Sequence, residues 1–168
     1  DLGTTRTFVA TSDLAGRLLE QEQFETTPDA EKTTKEIIDR ARKFIRNNNG
    51  TIEGIGVSLP GLVDPDGKEL FIPGFNWRDL PLANQISAAT GLPVTMDNDA
   101  NAAAQAELWF GRPEIREVRD FILVLVEGGV GTGIVFDGQV YRGENGAAGE
   151  FGHMTIGRDA PVACASGS

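Results

Sequence analysis

The stretch Asp97-Asn98-Asp99-Ala100-Asn101-Ala102-Ala103 lies between a short β-prone segment, residues 94–96, and an alanine-rich segment that extends to residue 110. This order predicts a strand that passes directly into a helix. At the junction, Asp99 could act as a base on a bound hydroxyl, with Asn98 hydrogen-bonding the same ligand. The competing interpretation is structural, because an aspartate just before Ala100 is a routine helix cap. Taken alone, the stretch favours capping.

On both sides of this junction, β-prone and helical segments alternate along the chain. We expect a hairpin from residues 7–11 and 17–24, a helix from Thr27-Pro28 to about Arg46, a strand at 52–59, a loop with a small hairpin at 63–77, a helix at 82–90, and strands at 121–126, 134–136 and 140–142. Such alternation predicts an α/β fold with a mixed sheet flanked by helices.

A charged connector, residues 114–120, separates the first group of elements from a fresh set of strands. We therefore expect two domains, residues 1–115 and residues 116–168. No helical pattern follows the second set of strands, and 168 residues allow one domain or one plus a piece. The second domain is therefore expected to be only a truncated start.

Composition excludes several classes of protein. Acidic residues outnumber basic ones 25 to 15, a formal charge of −10, so DNA should repel this surface. The longest aliphatic or aromatic run, residues 121–126, is far shorter than the ~20 residues that a membrane helix needs. The single cysteine, Cys164, rules out an internal disulfide framework and is typical of a reducing compartment. These features predict a cytoplasmic protein with no membrane partner.

Two stretches have the composition of phosphate loops. Asp1-Leu2-Gly3-Thr4-Thr5 combines a glycine with two hydroxyl residues, and Asp1 could hold a magnesium ion through water. Residues 127–133 form a glycine-rich stretch between apolar strands, but they match neither a dinucleotide fingerprint nor a P-loop. Each stretch also has a plain structural interpretation, the first as a polar turn and the second as a glycine-rich hairpin with a bulge.

The only histidine of the chain lies in Gly149-Glu150-Phe151-Gly152-His153. Glu150 and His153 are three residues apart, so they share a face of a helical turn. Both could hydrogen-bond a polyol, or His153 could ligate a metal together with Cys164. A lone histidine is more often a structural hydrogen-bonding group than a ligand.

Three motifs, in this order along the chain, closely resemble the ROK family (repressors, open reading frames and kinases). They are residues 56–64 (GVSLPGLVD), 97–103 (DNDANAA) and 141–154, which contain GAAGEFGHM. The resemblance covers the whole chain. It implies the actin-like, hexokinase-like fold, which has two ribonuclease-H-like domains with sugar and ATP in the cleft between them.

The resemblance also implies a role for each residue singled out above. In the kinases of the family, the aspartate matching Asp99 deprotonates the sugar hydroxyl that attacks the γ-phosphate of magnesium-bound ATP. Residues matching Asn98, Glu150 and His153 hold the sugar hydroxyls, and Gly61 lies beside them. The residues that match the two phosphate loops are Asp1, Gly3, Thr4 and Thr5 in the first and Gly129, Gly131 and Gly133 in the second.

Two departures from the family's pattern bear on function. The kinases usually read Gly-Thr-Gly where this chain has Glu127-Gly128-Gly129, so a carboxylate replaces a glycine and the phosphate-binding hydroxyl is absent. A negative charge beside ATP phosphates lowers affinity, although water screens part of it. The family's zinc motif reads Cys-x-Cys-Gly, whereas this chain has Cys164-Ala165-Ser166-Gly167, which argues against a zinc site made by His153 and Cys164.

Two functions remain open. One is the sugar-sensing domain of a ROK transcriptional regulator, which the altered second loop and Asn76-Trp77-Arg78-Asp79 favour; DNA would then be bound only by a domain outside this chain. The other is an ATP-dependent hexose or N-acetylhexosamine kinase, which the retained first loop and Asp99 favour. The sequence favours the regulator. In either case we expect a hexose or amino sugar as ligand and a homo-oligomer at full length.

Overall fold

The structure is a computed structural model that describes residues 1–48, 51–64, 67 and 69–154. Its strands are β1 (Arg6–Ser12), β2 (Leu18–Glu25), β3 (Ile55–Leu59), β4 (Leu62–Val63), β5 (Glu69–Phe71), β6 (Val94–Asn98), β7 (Phe121–Val126), β8 (Val130–Phe136) and β9 (Gln139–Val140). Its helices are α1 (Ala30–Asn47), α2 (Leu82–Thr90), α3 (Asp99–Phe110) and α4 (Pro113–Arg116), with 3₁₀ turns at Pro73–Phe75 and Phe151–His153. Within these described ranges, no helix is long and apolar enough to cross a membrane.

The first group of strands contains both parallel and antiparallel pairs, which form separate two-stranded ladders. β1 and β2 form an antiparallel hairpin, whereas β3 and β6 run parallel. The start of the chain joins the two pairs, because Leu2 N donates to Ser58 O (2.8 Å) and Phe8 N donates to Asp1 O (2.8 Å). Asp1 therefore lies beside the carboxyl end of β3.

Helices α1 and α2 cover one face of this layer. The buried apolar side chains of the shared core are Leu2, Ile37, Val57, Leu59, Val63, Ile72, Trp77, Leu82 and Ile86. The second group, β7, β8 and β9, forms a separate antiparallel sheet with its own small core of Ala104, Val135 and Val140. Because Ala104 belongs to α3, this helix packs on the second sheet while it continues directly from β6 of the first layer. The division into domains at residue 115 stays a prediction.

The structure corrects several predicted element boundaries. The first helix begins at Ala30 and is capped by Asp29, whose Oδ1 accepts from Lys32 N (3.0 Å), rather than by Thr27. Thr27 instead bonds to Thr33, since Thr27 N donates to Thr33 Oγ1 (3.3 Å) and Thr33 Oγ1 donates to Thr27 O (3.0 Å). The predicted strand at 52–59 is shorter, because β3 starts at Ile55.

The capping interpretation of Asp99 is also corrected. Asn98 is the N-cap of α3, since its Oδ1 accepts from Ala100 N (2.9 Å) and Asn101 N (3.2 Å). Asp99 is already the first helical residue, and its Oδ1 accepts a further bond from Ala100 N (2.7 Å). The cap is thus supplied by the residue before Asp99.

Candidate functional site

Asn98 connects the ends of β3 and β6 through its side chain. It is the last residue of β6 and lies opposite Leu59, the last residue of β3. Its Nδ2 donates to Gly61 O (3.1 Å), while its Oδ1 caps α3. The two ends of the amide are therefore both held by backbone, which fixes Asn98 and Gly61 side by side.

Asp99 faces the hairpin formed by β7 and β8. A Cβ atom added at Gly131 would lie 3.0 Å from Ala100 Cβ and 3.7 Å from Asp99 Oδ1, so β8 passes close to the start of α3 at this glycine. Burial raises the pKa of Asp99 above 3.8, and the charges of Glu127 and Glu150 raise it further, against the lowering effect of the Ala100 N–H bond. The carboxyl group of Asp99 therefore lies in a partly buried, acidic environment.

We predict that Asp99→Asn stabilises the folded protein at neutral pH. Because the pKa of Asp99 is raised in the folded state, its stabilising contribution is complete below the ordinary value of 3.8 and is lost as the pH rises through the raised value. Asparagine keeps the acceptor for Ala100 N without that loss. Thermal unfolding should give a higher midpoint than the wild type at pH 7, with a difference that shrinks toward pH 4. An equal or lower midpoint at pH 7 contradicts the prediction, and Asp39→Asn on the exposed side of α1 is the control.

Glu150 and His153 share one turn, as their spacing predicts. The turn Phe151–His153 is a 3₁₀ helix, and His153 Nε2 lies 3.2 Å from Glu150 Oε2. The turn rests on β8, where Thr132 Oγ1 donates to Gly149 O and a Cβ atom added at Gly152 would lie 2.1 Å from Val130 O. Because the turn packs on β8, Glu150 lies near enough to Asp99 for its charge to raise the pKa of Asp99.

Four residues from distant parts of the chain thus meet in one place. Asn98 and Asp99 are adjacent at the start of α3, Asp99 lies within the electrostatic influence of Glu150, and Glu150 contacts His153. Gly61 joins them through its bond to Asn98. The charge of Glu150 thus reaches Asp99, whereas the binding role of each residue stays a prediction.

The two stretches with phosphate-loop composition also approach each other. A Cβ atom added at Gly128 would lie 3.4 Å from Thr4 Oγ1, which places the turn after β7 against the segment before β1. Within the first stretch, Asp1 Oδ1 accepts from Ser58 Oγ (3.0 Å) and Gly3 N donates to Arg6 O (3.1 Å). Thr5 O accepts from Thr26 N (3.0 Å).

The glycines of the second stretch have different surroundings. Gly129 lies in the turn between β7 and β8, where a Cβ atom would meet nothing within 4 Å. Gly131 and Gly133 lie within β8 and face α3, so helix packing already accounts for their lack of a side chain. Their proposed role with phosphate stays a prediction.

A metal centre finds limited support. Cys164 lies outside the described residues, and His153 contacts Glu150. Among residues 1–48, 51–64, 67 and 69–154, no three histidine, cysteine or acidic side chains are grouped to hold a metal ion. Of the predicted metal ligands, the described residues contain His153 for zinc and Asp1 for magnesium.

A cavity of about 720 Å³ lies along β6 and β3. Val94, Thr95, Met96 and Asp97 all line it, whereas Asn98 and Asp99 do not. Trp109, Phe110 and Arg142 complete one wall. The cavity reaches the residue before Asn98, but the four converging residues are not part of its lining.

Two structural contacts near the site were not predicted from the sequence. Arg142 Nη2 lies 2.5 Å from Asp97 Oδ2, and Thr132 bonds Gly149. Both Asp97 and Arg142 lie inside the motifs quoted above, so their position in a motif indicates that they matter. Their spacing along the chain does not predict that they contact each other. Thr132 carried no signal beyond its place in the glycine-rich stretch.

Comparison with known proteins gives the family. The sequence profile of the ROK family matches residues 1–168. This chain belongs to the ROK family. The prediction made from the three motifs is therefore confirmed.

Curated relatives of this ROK protein include both regulators and kinases. The xylose repressor of Bacillus subtilis (strain 168) is 36% identical over 162 residues, which cover 94% of this chain and 41% of the repressor. The glucokinase of Halalkalibacterium halodurans is 32% identical over 173 residues, which cover 99% of this chain and 52% of the kinase. The chain thus spans about half or less of the length of these relatives.

Solved structures show the same two classes with the same fold. A ROK family glucokinase from Streptomyces griseus, in complex with glucose and AMPPNP, superposes with a TM-score of 0.85 and 33% identity over 99% of this chain and 52% of its own. A ROK family transcriptional regulator, a homolog of the E. coli MLC protein, gives 0.83 and 31% over 99% of this chain and 43% of its own. The predicted actin-like, hexokinase-like α/β fold is confirmed.

Proposed function

We propose that this chain is the sugar-sensing part of a ROK transcriptional regulator. The observation that supports this most is Glu127, which replaces a glycine of the kinase pattern and whose charge helps to raise the pKa of Asp99. Xylose repressors at 35–43% identity support the same conclusion. In this proposal, DNA is bound by a segment outside these residues, since the net charge of −10 opposes binding by the chain itself.

The charge of Glu127 disfavours the binding of a nucleoside triphosphate. Like charges repel, and water screens part of the charge of Glu127 because that residue is exposed. Asp99 already lies in an acidic environment, and burial limits the screening by water there. A γ-phosphate placed for transfer would add further negative charge to the same region, so binding of a neutral sugar is favoured over binding of sugar with ATP.

The converging residues suit a neutral polyol. Carboxylates accept hydrogen bonds from adjacent hydroxyls, and Glu150 and Asp99 together present several such acceptor positions. His153 adds a group that donates or accepts according to its tautomer. We propose an aldose as the ligand, with D-xylose as the first probe because the repressor relatives are named for it.

The test is calorimetry and a coupled phosphorylation assay on the full-length protein. We expect D-xylose, D-glucose or N-acetylglucosamine to bind without ATP, and we expect no sugar phosphate to form with ATP and magnesium. Turnover that Asp99→Asn abolishes would establish the kinase instead. Absence of binding by every sugar would overturn the proposed sensing function.

A kinase is the second candidate, and two observations favour it. Thr4 lies beside Gly128, so the two stretches with phosphate-loop composition meet as phosphate binding requires. The raised pKa of Asp99 brings this carboxyl group closer to the range of a general base. In that case magnesium-bound ATP supplies the phosphoryl group, and Asp99 accepts the proton of the sugar hydroxyl.

A further inference from the structure

An ion pair links the two halves of the candidate site. Arg142 Nη2 lies 2.5 Å from Asp97 Oδ2, and Arg142 Nε lies 3.2 Å from the same oxygen. The side chains are 38% and 22% exposed, respectively, so the pair is partly shielded from solvent. Asp97 belongs to β6 and immediately precedes Asn98, whereas Arg142 follows β9 of the second sheet.

Arg142 is the first residue of a connecting loop, residues 142–149, that leads from β9 to Glu150. Ala148 N donates to Arg142 O (3.1 Å), which closes the loop on itself. A Cβ atom added at Gly146 would lie 2.0 Å from Val63 O, so the loop presses on the end of β4. The connecting loop therefore crosses from the second sheet to the first layer.

The far end of the connecting loop is fixed to β8. Thr132 Oγ1 donates to Gly149 O, and Gly149 has a φ of +90°, a conformation that favours glycine. Glu150 follows directly. With the first end held at Asp97 and the last end held at Thr132, the loop has little freedom to shift Glu150 relative to Asp99.

We propose that Asp97 and Arg142 form a positioning pair that holds Glu150 in register with Asn98 and Asp99. This inference rests on the proposed sugar binding at these residues. The pair uses two guanidinium nitrogens on one carboxylate, and a lysine offers only a single ammonium group without that fixed geometry. The pair also commits the guanidinium of Arg142 to Asp97.

The experiment measures D-xylose affinity by calorimetry on the full-length protein, together with the thermal midpoint. We expect Arg142→Lys and Asp97→Asn each to weaken binding about tenfold, as is typical when contacting groups are uncoupled. Arg119→Lys is the matched control, because Arg119 pairs with Asp137 at 2.7 Å on an exposed part of the second sheet. It should bind as the wild type does, and equal affinity in all three variants overturns the positioning role.

A double-mutant cycle separates positioning from general damage. If Arg142 acts through Glu150, Arg142→Lys should lose most of its effect in a Glu150→Ala background. Additive losses overturn the proposal. If Arg142→Lys does not fold, Asp97→Asn combined with Arg142→Gln removes both charges together, and wild-type affinity in that variant likewise overturns it. A wild-type protein that binds no sugar contradicts the proposed function rather than the ion pair alone.

Discussion

Glu150→Ala is expected to weaken sugar binding by at least about 100-fold. Each hydrogen bond to a charged group contributes about 1.5–3 kcal/mol, and a carboxylate that accepts from two hydroxyls loses both bonds on truncation. Glu150 is placed for this by its turn on β8 and by its proximity to Asp99. Calorimetry of D-xylose with the full-length protein measures the loss.

The matched control for this prediction is Glu144→Ala. Glu144 is an exposed residue of the connecting loop, so its truncation removes the same charge from the same segment. Its affinity should stay within twofold of the wild type. A Glu150→Ala variant that also stays within that range would remove Glu150 from the site and leave Asn98 and Asp99 to explain any binding.

Gly133→Val is expected to destabilise the protein by about 3 kcal/mol or more, the upper range for overpacked sites. A Cβ atom at this position would lie 2.4 Å from Ala100 O and 2.6 Å from Ala104 Cβ. Backbone cannot yield as a flexible side chain does, so α3 must move away from β8. Since Asn98 and Asp99 stand at the start of α3, sugar affinity should fall as well.

Urea denaturation of the full-length protein, monitored by circular dichroism, measures this change. Gly129→Ala is the control, because a Cβ atom there meets nothing within 4 Å. Its free energy of unfolding should stay within about 0.5 kcal/mol of the wild type. A Gly133→Val variant as stable as this control would show that α3 does not pack on β8 as described.

The negative charge of Glu127 bears on the choice between a sugar sensor and a sugar kinase. Its carboxylate replaces a glycine of the kinase pattern, and its charge contributes to the raised pKa of Asp99. The same acidic environment that favours a proton acceptor thus opposes the phosphate that a kinase must hold. We therefore expect sensing without transfer, and one assay of sugar binding and phosphorylation distinguishes the outcomes.

Local patterns in the sequence predicted most of the elements. The helix Leu82–Thr90 ends at Gly91 with a φ of +75°, as a glycine after the last helical residue predicts. The strand Phe121–Val126 was predicted from its apolar run alone. The three motifs were sufficient to predict the family and thereby the fold. Such features are local, because each depends on residues that are neighbours in the chain.

Choices between competing local groups were less predictable. Asp29 rather than Thr27 caps α1, and Asn98 rather than Asp99 caps α3. In both cases two side chains close together in the sequence were chemically able to accept from backbone N–H groups of the first turn. Which one does so depends on the path of the preceding strand or loop into the helix, and packing determines that path.

The sequence by itself determined the alternation of elements, the family and the identity of the polar residues in its motifs. Only the tertiary structure decided that Asp97 pairs with Arg142 and that Glu127 and Glu150 both act on Asp99. These residues are separated by tens of positions, and their proximity follows from the packing of α3 on β8 and of the 3₁₀ turn on the same strand. Distances of that kind depend on how whole elements bury their apolar faces, which no spacing along the chain records.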